Sequence, residues 1–305
     1  MKTTPSFTII IPHYNIPRLL RHCLASIPKR DDIQVIVVDD KSNELCRKQL
    51  RELEKDFPTV SFLYAEEHRG GGRARNLGME QARGKFLLFA DADDFFNDCI
   101  GGILEDYSTS EDDLIFFNAN SVYLDDFRPA RRSFQLNQIF ARYPLDRKKG
   151  ETCLRFLFGE PWCKLIRRDL VEKNHIRFEE TPIHNDTRFS YMVGYYAGSI
   201  AVDNRVLYCV TERTGSVSKA KDTDIELIRT RIFAKKNRFL ADHHIHAFDE
   251  ILLWPFKDAV KQHDWKLMHQ YFAVARQYGY SLADILFRYS ERKLFHKNNT
   301  NWCHA

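Results

Sequence analysis

The 305-residue chain reads as an α/β protein: a mixed, mainly parallel sheet flanked by helices, with a helical extension at its C-terminal end. Three observations point there. Short apolar runs alternate with stretches of helical periodicity through the first 120 or so residues. Two of those runs end in acidic clusters, Asp39-Asp40 and Asp91-Ala92-Asp93-Asp94. Ligands of α/β sheets bind outside such carboxyl strand ends. After Asp224 the apolar spacing is helical almost throughout.

Residues 7–11 form a first strand, and Leu19, Leu20, Cys23, Leu24 and Ile27 recur at helical spacing over 17–27. A second strand is expected at 33–38, a charged surface helix at 43–56 and a third strand at 60–65. A helix entered through glycines covers 73–82, a buried strand 85–90, a short helix 98–107 and a fifth strand 114–118. This alternation implies right-handed crossovers. Beyond residue 120 the pattern loosens. Arg128, Arg131 and Arg132 around Pro129 read as a loop or edge hairpin. Helices are expected at 151–158, 168–174 and 187–197, and a strand at 206–210. Four further helices cover 225–240, 247–261, 265–278 and 281–295, so a boundary near 220 separates 1–220 from 221–305.

Composition narrows the function. A hydrophobic content of 44% and a charged content of 29% suit a globular enzyme, and a net charge of +4 gives no basis for nucleic-acid binding. The seven cysteines are odd in number and form no Cys-x-x-Cys pair, which reads as reduced thiols in a cytoplasmic protein. No apolar stretch reaches the length of a membrane span, and Pro12-His13-Tyr14-Asn15 ends the first run too early for a signal peptide. His243-His244-Ile245-His246 lacks cysteine or carboxylate partners at zinc-site spacing.

The carboxylates of Asp91, Asp93 and Asp94 would repel one another unless a cation sits among them. A hard divalent ion that bridges carboxylate and phosphate is the natural candidate. Tyr14 either stacks on a base or belongs to a turn. Asp39 and Asp40 either accept hydrogen bonds from a base or ribose, or cap a helix. His68-Arg69-Gly70-Gly71-Gly72-Arg73-Ala74-Arg75-Asn76 offers close backbone approach, helix N-terminal amides and arginines to a diphosphate, or is a plain solvated loop. It lacks the endings of a P-loop and of the dinucleotide fingerprint. Asp186, after His184-Asn185, is either an N-cap or a general base.

The pieces occur in a familiar order. The segments 7–15 (FTIIIPHYN), 37–42 (VVDDKS), 71–78 (GGRARNLG), 89–94 (FADADD), 161–168 (PWCKLIRR) and 176–178 (IRF) together resemble the family-2 glycosyltransferases of the GT-A fold, bacterial polysaccharide enzymes in the main, from Phe7 to about Ser218. Lys41 stands where the family usually has glycine, and Asn185 where it commonly has glutamate. The resemblance implies an inverting transfer from a nucleotide-diphosphate sugar, most often UDP-linked, to a saccharide or lipid-linked acceptor. It implies Asp186 as the catalytic base. Pro12, Tyr14, Asp39 and Asp40 would then serve the nucleotide, Arg75 the Asp91–Asp94 loop or the diphosphate, and Asp91 a supporting role. Asp93 and Asp94 would contact ribose and a Mg²⁺ or Mn²⁺. Trp162 and Lys164 are placed on the acceptor side, or in the core for Trp162, and Arg213 and Ser216 in a closing loop. The basic, apolar stretch 281–297 suits peripheral contact with an anionic membrane, or a packed terminal helix. Two rivals are a sugar-nucleotide nucleotidyltransferase, which would want a Gly-rich loop after the first strand, and a non-catalytic carbohydrate-binding protein.

Overall fold

The apolar runs dictate the centre of the molecule. A computed structural model describes residues 4–213, 223–245 and 252–285. In chain order its elements are β1 (Phe7–His13), α1 (Pro17–Ala25), β2 (Ile33–Asp39), α2 (Glu44–Asp56), β3 (Val60–Tyr64), α3 (Gly71–Glu80), β4 (Phe86–Phe89), β5 (Phe95–Phe96), α4 (Ile100–Tyr107), β6 (Leu114–Tyr123), α5 (Phe134–Arg142), α6 (Arg147–Phe156), β7 (Lys164–Arg167), α7 (Arg168–Lys173), α8 (Thr187–Tyr196), β8 (Ile200–Glu212), α9 (Thr223–Asp242), α10 (Leu253–Lys261) and α11 (Trp265–Gln277). The described strands form one sheet in the order β3-β2-β1-β4-β7-β6-β8-β5.

The half built from β3, β2, β1 and β4 is parallel. Its central strands β1 and β4 are buried almost throughout, as strands covered by helices on both faces must be, while the edge strand β3 is partly exposed. The chain lays β2 and β3 on one side of β1 and then crosses to place β4 on the other, which makes β1/β4 the switch point. In the other half, β7 runs antiparallel to β4 and β6, and β8 pairs in parallel with the length of β6. The sheet is thus mixed, as expected.

Register sets the rim. His13 lies level with Asp39, and Ile10 with Phe89. Three residues beyond each of that second pair come His13 and Ala92, so Asp39-Asp40 and Asp91–Asp94 emerge at the same carboxyl edge.

Three elements went unread in the sequence: β5, α5 and β7. The cause at β7 is Lys164, a buried lysine that interrupts the apolar pattern. Strand β8 begins at Ile200, six residues before its expected start, because Asp203, Asn204 and Arg205 disguise its polar edge. Helix α6 begins four residues earlier than expected, where Asp146 caps it by accepting the Lys149 amide.

The main core joins the helices to both halves of the sheet. A separate apolar cluster, including Ala234, Leu252, Phe256, Leu267, Tyr271 and Ala275, ties α9, α10 and α11 together. The proposed boundary near 220, Ser216, His246 and most of 281–297 lie outside the described residues. Among the described residues no disulfide occurs and no helix is long and apolar enough to cross a membrane.

Gly84 shows how tightly β4 is seated. A Cβ there would lie 2.5 Å from backbone atoms of Phe7 and Thr8, and the Gly84 amide donates to Thr8 Oγ1 at 2.8 Å. Gly84→Ala is expected to destabilise the fold by about 1–3 kcal/mol. Urea unfolding reads this as a lower midpoint; an unchanged midpoint would show that β1 and β4 can shift apart without cost.

Candidate active site

The first rim is held from within. Asp39 is buried, and its carboxylate accepts from His13 Nδ1 at 3.1 Å, the Ser42 amide at 3.1 Å and Arg47 Nε at 3.1 Å. Burial pushes its pKa up, but the bonds from His13, Ser42 and Arg47 outweigh that and hold the carboxyl below its usual range. His13 Nε2 accepts the Ile16 amide, so Nδ1 carries the proton given to Asp39. Asp40 turns the other way. Its two carboxylate oxygens accept the amides of Arg69 at 3.0 Å and Gly70 at 2.7 Å. The glycine-rich approach to α3 therefore already holds an anion, the protein's own Asp40. Lys41 between these residues and Ser42 adopts φ +58°, the left-handed region that favours glycine, which accounts for the residue usually found there.

Asp40 also steers His68, whose Nδ1 lies 2.8 Å from the carboxylate. The imidazole stacks on Tyr14 with centroids 4.2 Å apart and planes 22° from parallel. Tyr14 is exposed and Pro12 partly so. The switch-point crevice thus opens beside a pair of flat rings.

The second rim follows β4. Asp94 is buried, accepting the Thr211 amide at 2.7 Å and a bond from Tyr208. Tyr208 in turn accepts the Asp91 amide at 2.7 Å. Burial first, then the charges of Asp91 and Asp93, push the Asp94 pKa well above its usual value. Asp93 is raised by burial and by Asp91, against the pull of Arg213 3.4 Å away. The carboxylates of Asp91 and Asp93 keep about a third and a quarter of their surface open (34% and 26%). Asp94 instead faces inward, so of the two expected metal-contacting residues Asp93 is the one with an open face. Among the described residues no three His, Cys, Asp or Glu side chains form a metal cage.

Arg75 joins this rim to the segment carrying Asp186. Its Nη2 donates to Asp91 Oδ1 at 2.5 Å and its Nη1 to Asn185 Oδ1 at 3.0 Å. The guanidinium is buried over the Phe178 ring, and its Nε finds no protein partner. Asn76, next in the chain, donates to Phe178 O at 3.0 Å and accepts the Phe178 amide at 2.9 Å. A Cβ at Gly72 would stand 2.1 Å from Glu179 O. The segment 71–78 is thus a seat for residues 178–185. Its glycine gives room to a protein carbonyl, and Arg73 turns outward to Glu80 and Glu180.

Asp186 stands at the N-cap position of α8, yet its side chain makes no capping bond. It is partly exposed. Burial pushes its pKa up to about 6, with Glu160 and Asp91 adding to the shift and Arg75 opposing it. Lys164 lies nearby in a wholly buried site, its Nζ donating to the carbonyls of Phe158 at 2.8 Å and Glu160 at 2.7 Å. Burial lowers its pKa to about 7. Ser190 on α8 donates to Gly159 O at 2.5 Å, so the 158–160 loop is pinned from two sides. Trp162 is core, stacked on Tyr208 at 5.7 Å. Glu160, which sequence reading missed, stands on this loop beside Arg132 at 3.7 Å.

Tyr208 supports the rim through one hydroxyl. Tyr208→Phe would leave the Asp91 amide and the Asp94 carboxylate short of a partner, at a cost of about 1–3 kcal/mol. Thermal and urea unfolding measure it, and wild-type stability would show that the hydroxyl does not hold the loop.

Comparison with known proteins identifies the arrangement. The sequence profile described as glycosyl transferase family 2 matches residues 8–174. An uncharacterized glycosyltransferase of Escherichia coli K12, YibD, is 26% identical over 270 residues, spanning 84% of this chain and 76% of that protein. The crystal structure of Staphylococcus aureus TarS in complex with UDP-GlcNAc superposes with a TM-score of 0.60 at 21% identity, covering 90% of this chain and 91% of that one. A mannosyltransferase from Pyrobaculum calidifontis in complex with GDP-Man and Mn²⁺ gives a TM-score of 0.54 at 16% identity, covering 96% of this chain and 81% of that one. The shared fold is of the GT-A type.

Proposed function

The chain belongs to glycosyl transferase family 2, and on that premise we propose that it is a metal-assisted, inverting enzyme that moves a hexosyl or N-acetylhexosaminyl group from a UDP-sugar to a hydroxyl of a saccharide or lipid-linked acceptor. That it is a glycosyltransferase follows from the family and the relatives. The donor, the ion, the acceptor and the division of labour are the proposal. One observation carries it: Asp186 sits at a helix N-terminus without capping it, and a single arginine links its loop to the acidic rim.

In this reading the catalytic unit is 1–220. The base lies against Tyr14 and Pro12 beside His68, with Asp40 shaping the pocket from behind and Asp39 locking its floor. The UDP assignment follows the TarS complex. Asp91 and Asp93 offer oxygen ligands whose mutual repulsion a divalent ion would relieve. Mg²⁺ or Mn²⁺ suits them, since such ions commonly take one or two carboxylates and complete their shell with phosphate and water. When bound, the ion offsets charge growing on the departing diphosphate. Asp94 holds the loop from inside, and Arg213 balances Asp93.

Asp186 takes the proton from the acceptor hydroxyl as its oxygen forms the new bond to the anomeric carbon. The bond to the diphosphate breaks on the opposite face. A pKa near 6 leaves the carboxylate mostly ionised at neutral pH while making it a stronger base than an ordinary aspartate. Arg75 favours that ionised form. In this reading the protein works at the cytoplasmic side of the membrane, and the basic, apolar sequence of 281–297 supports contact with anionic lipid.

Asp186→Asn is expected to lower transfer by about 10²–10⁴-fold, with UDP binding in a calorimetric titration unchanged; transfer at the wild-type rate removes Asp186 from the mechanism. Because the reaction needs the ionised form, kcat should fall about tenfold per pH unit below the Asp186 pKa. A flat profile between pH 7 and pH 5 contradicts the assignment. Asp93→Asn should abolish the strengthening of UDP binding by Mn²⁺, and equal affinity with and without the ion in the wild type would overturn the metal's role.

A further inference from the structure

Helix α9 lies against the loop that leads into α8. Arg229 Nε donates to His184 Nε2 at 3.2 Å, and the Phe233 ring packs on the same imidazole at 5.0 Å. Two turns further along α9, Lys235 Nζ donates to Glu179 Oε1 at 2.5 Å. These contacts fall at the two ends of the 179–186 loop. The loop is closed at its base by the Glu179 amide donating to Asn185 O at 3.0 Å. His184 sits in the left-handed region at φ +50°, immediately before Asn185 and Asp186. A non-glycine residue holds that conformation only where its surroundings enforce it. On the opposite side α3 supplies the enforcement already described, through Gly72, Arg75 and Asn76. The loop is therefore gripped between α3 of the sheet domain and α9 of the C-terminal extension.

We propose that α9 is a working part of the catalytic site, with Arg229 and Lys235 as positioning residues that clamp the loop carrying Asp186. The inference rests on Asp186 being the general base. A base that receives a proton during bond formation must be held to within about 0.5 Å of its productive place. Misplacement by about 1 Å costs on the order of 100-fold in rate. Arg229 bonds to His184 and Glu226 and Lys235 to Glu179, none of them a residue assigned to the nucleotide, so the clamp acts on the chemical step and leaves donor affinity alone. Packing of the extension does not by itself require these bonds. The cluster of Ala234, Phe256, Tyr271 and their neighbours holds α9, α10 and α11 together without Arg229 or Lys235.

The test uses the full chain with Arg229→Gln, Lys235→Gln, the double substitution, and the conservative Lys235→Arg. Amide hydrogen exchange needs no ligand. The double variant should exchange about tenfold faster or more across 179–186, with β1 and β4 unchanged. The kinetic probe is hydrolysis of UDP-glucose, UDP-galactose and UDP-N-acetylglucosamine with Mn²⁺, in which water replaces the acceptor and Asp186 takes its proton. The double variant should lose about tenfold or more in kcat with KM for the sugar nucleotide unchanged, and Lys235→Arg should keep most of the rate. Unchanged exchange in the loop overturns the clamp, as does an unaltered kcat. So does a loss of kcat accompanied by an equal rise in KM and a lower melting temperature, the signature of a merely structural role. Asp186→Asn in the same series separates the two ideas: wild-type hydrolysis there removes the base assignment, while the exchange data still decide whether α9 holds the loop.

Discussion

The Arg75 guanidinium is the joint on which the rest of the site depends. Parallel strands deliver Asp91 to the carboxyl rim, but Asn185 and Asp186 arrive on the segment between α7 and α8, about a hundred residues later. Arg75 reaches both, one nitrogen to Asp91 and another to Asn185. It is buried, planar and permanently charged, so its two arms fix direction as well as distance. Glutamate at position 185 would make this arm an ion pair. Asparagine keeps the hydrogen bond and removes one negative charge from beside Asp186. The guanidinium then opposes the rise in the Asp186 pKa without a second neighbouring carboxylate at 185 adding to it.

The acidic rim is a division of labour among like residues. Asp39 and Asp94 are buried and bonded on several sides, so they act as anchors for His13, Arg47, Thr211 and Tyr208. Asp40 fills the amide pocket at the start of α3. Asp91 and Asp93 retain open surface. Repulsion among three carboxylates in a half-buried loop is unfavourable in the protein alone, and the pKa values of Asp93 and Asp94, raised first by burial and then by the neighbouring charges, express it in part. Such stored repulsion is what a cation and its phosphates would relieve.

How much of this was legible in the chain depends on range. The parallel half of the sheet was, because 9–11, 35–38 and 86–90 are continuous apolar runs, and the acidic clusters mark where two of them surface. Asp186 was legible only as a choice between cap and base, since spacing does not report whether a carboxylate turns back onto its own helix. The glycine-rich segment invited a phosphate. Its glycines and Asn76 instead receive the backbone of 178–185, a contact across a hundred residues that no local pattern encodes. Lys164 hid β7 because a lysine buried against two carbonyls is rare and breaks the apolar pattern of the strand, so it reads as an acceptor-side residue instead. Arg229 and Lys235 carried no signal in the chain, since their partners His184 and Glu179 come from a segment before α8, well upstream of α9.

The central claim is that one carboxyl rim gathers ion, diphosphate and base. It is tested most directly by anomalous scattering at the manganese edge, from crystals grown with UDP and Mn²⁺. The account predicts a single manganese peak in direct coordination with Asp93, uracil against Tyr14, and Asp186 across the sugar-binding space from the diphosphate. A peak on another surface, or bound UDP with its uracil away from Tyr14 and Asp40, would contradict it.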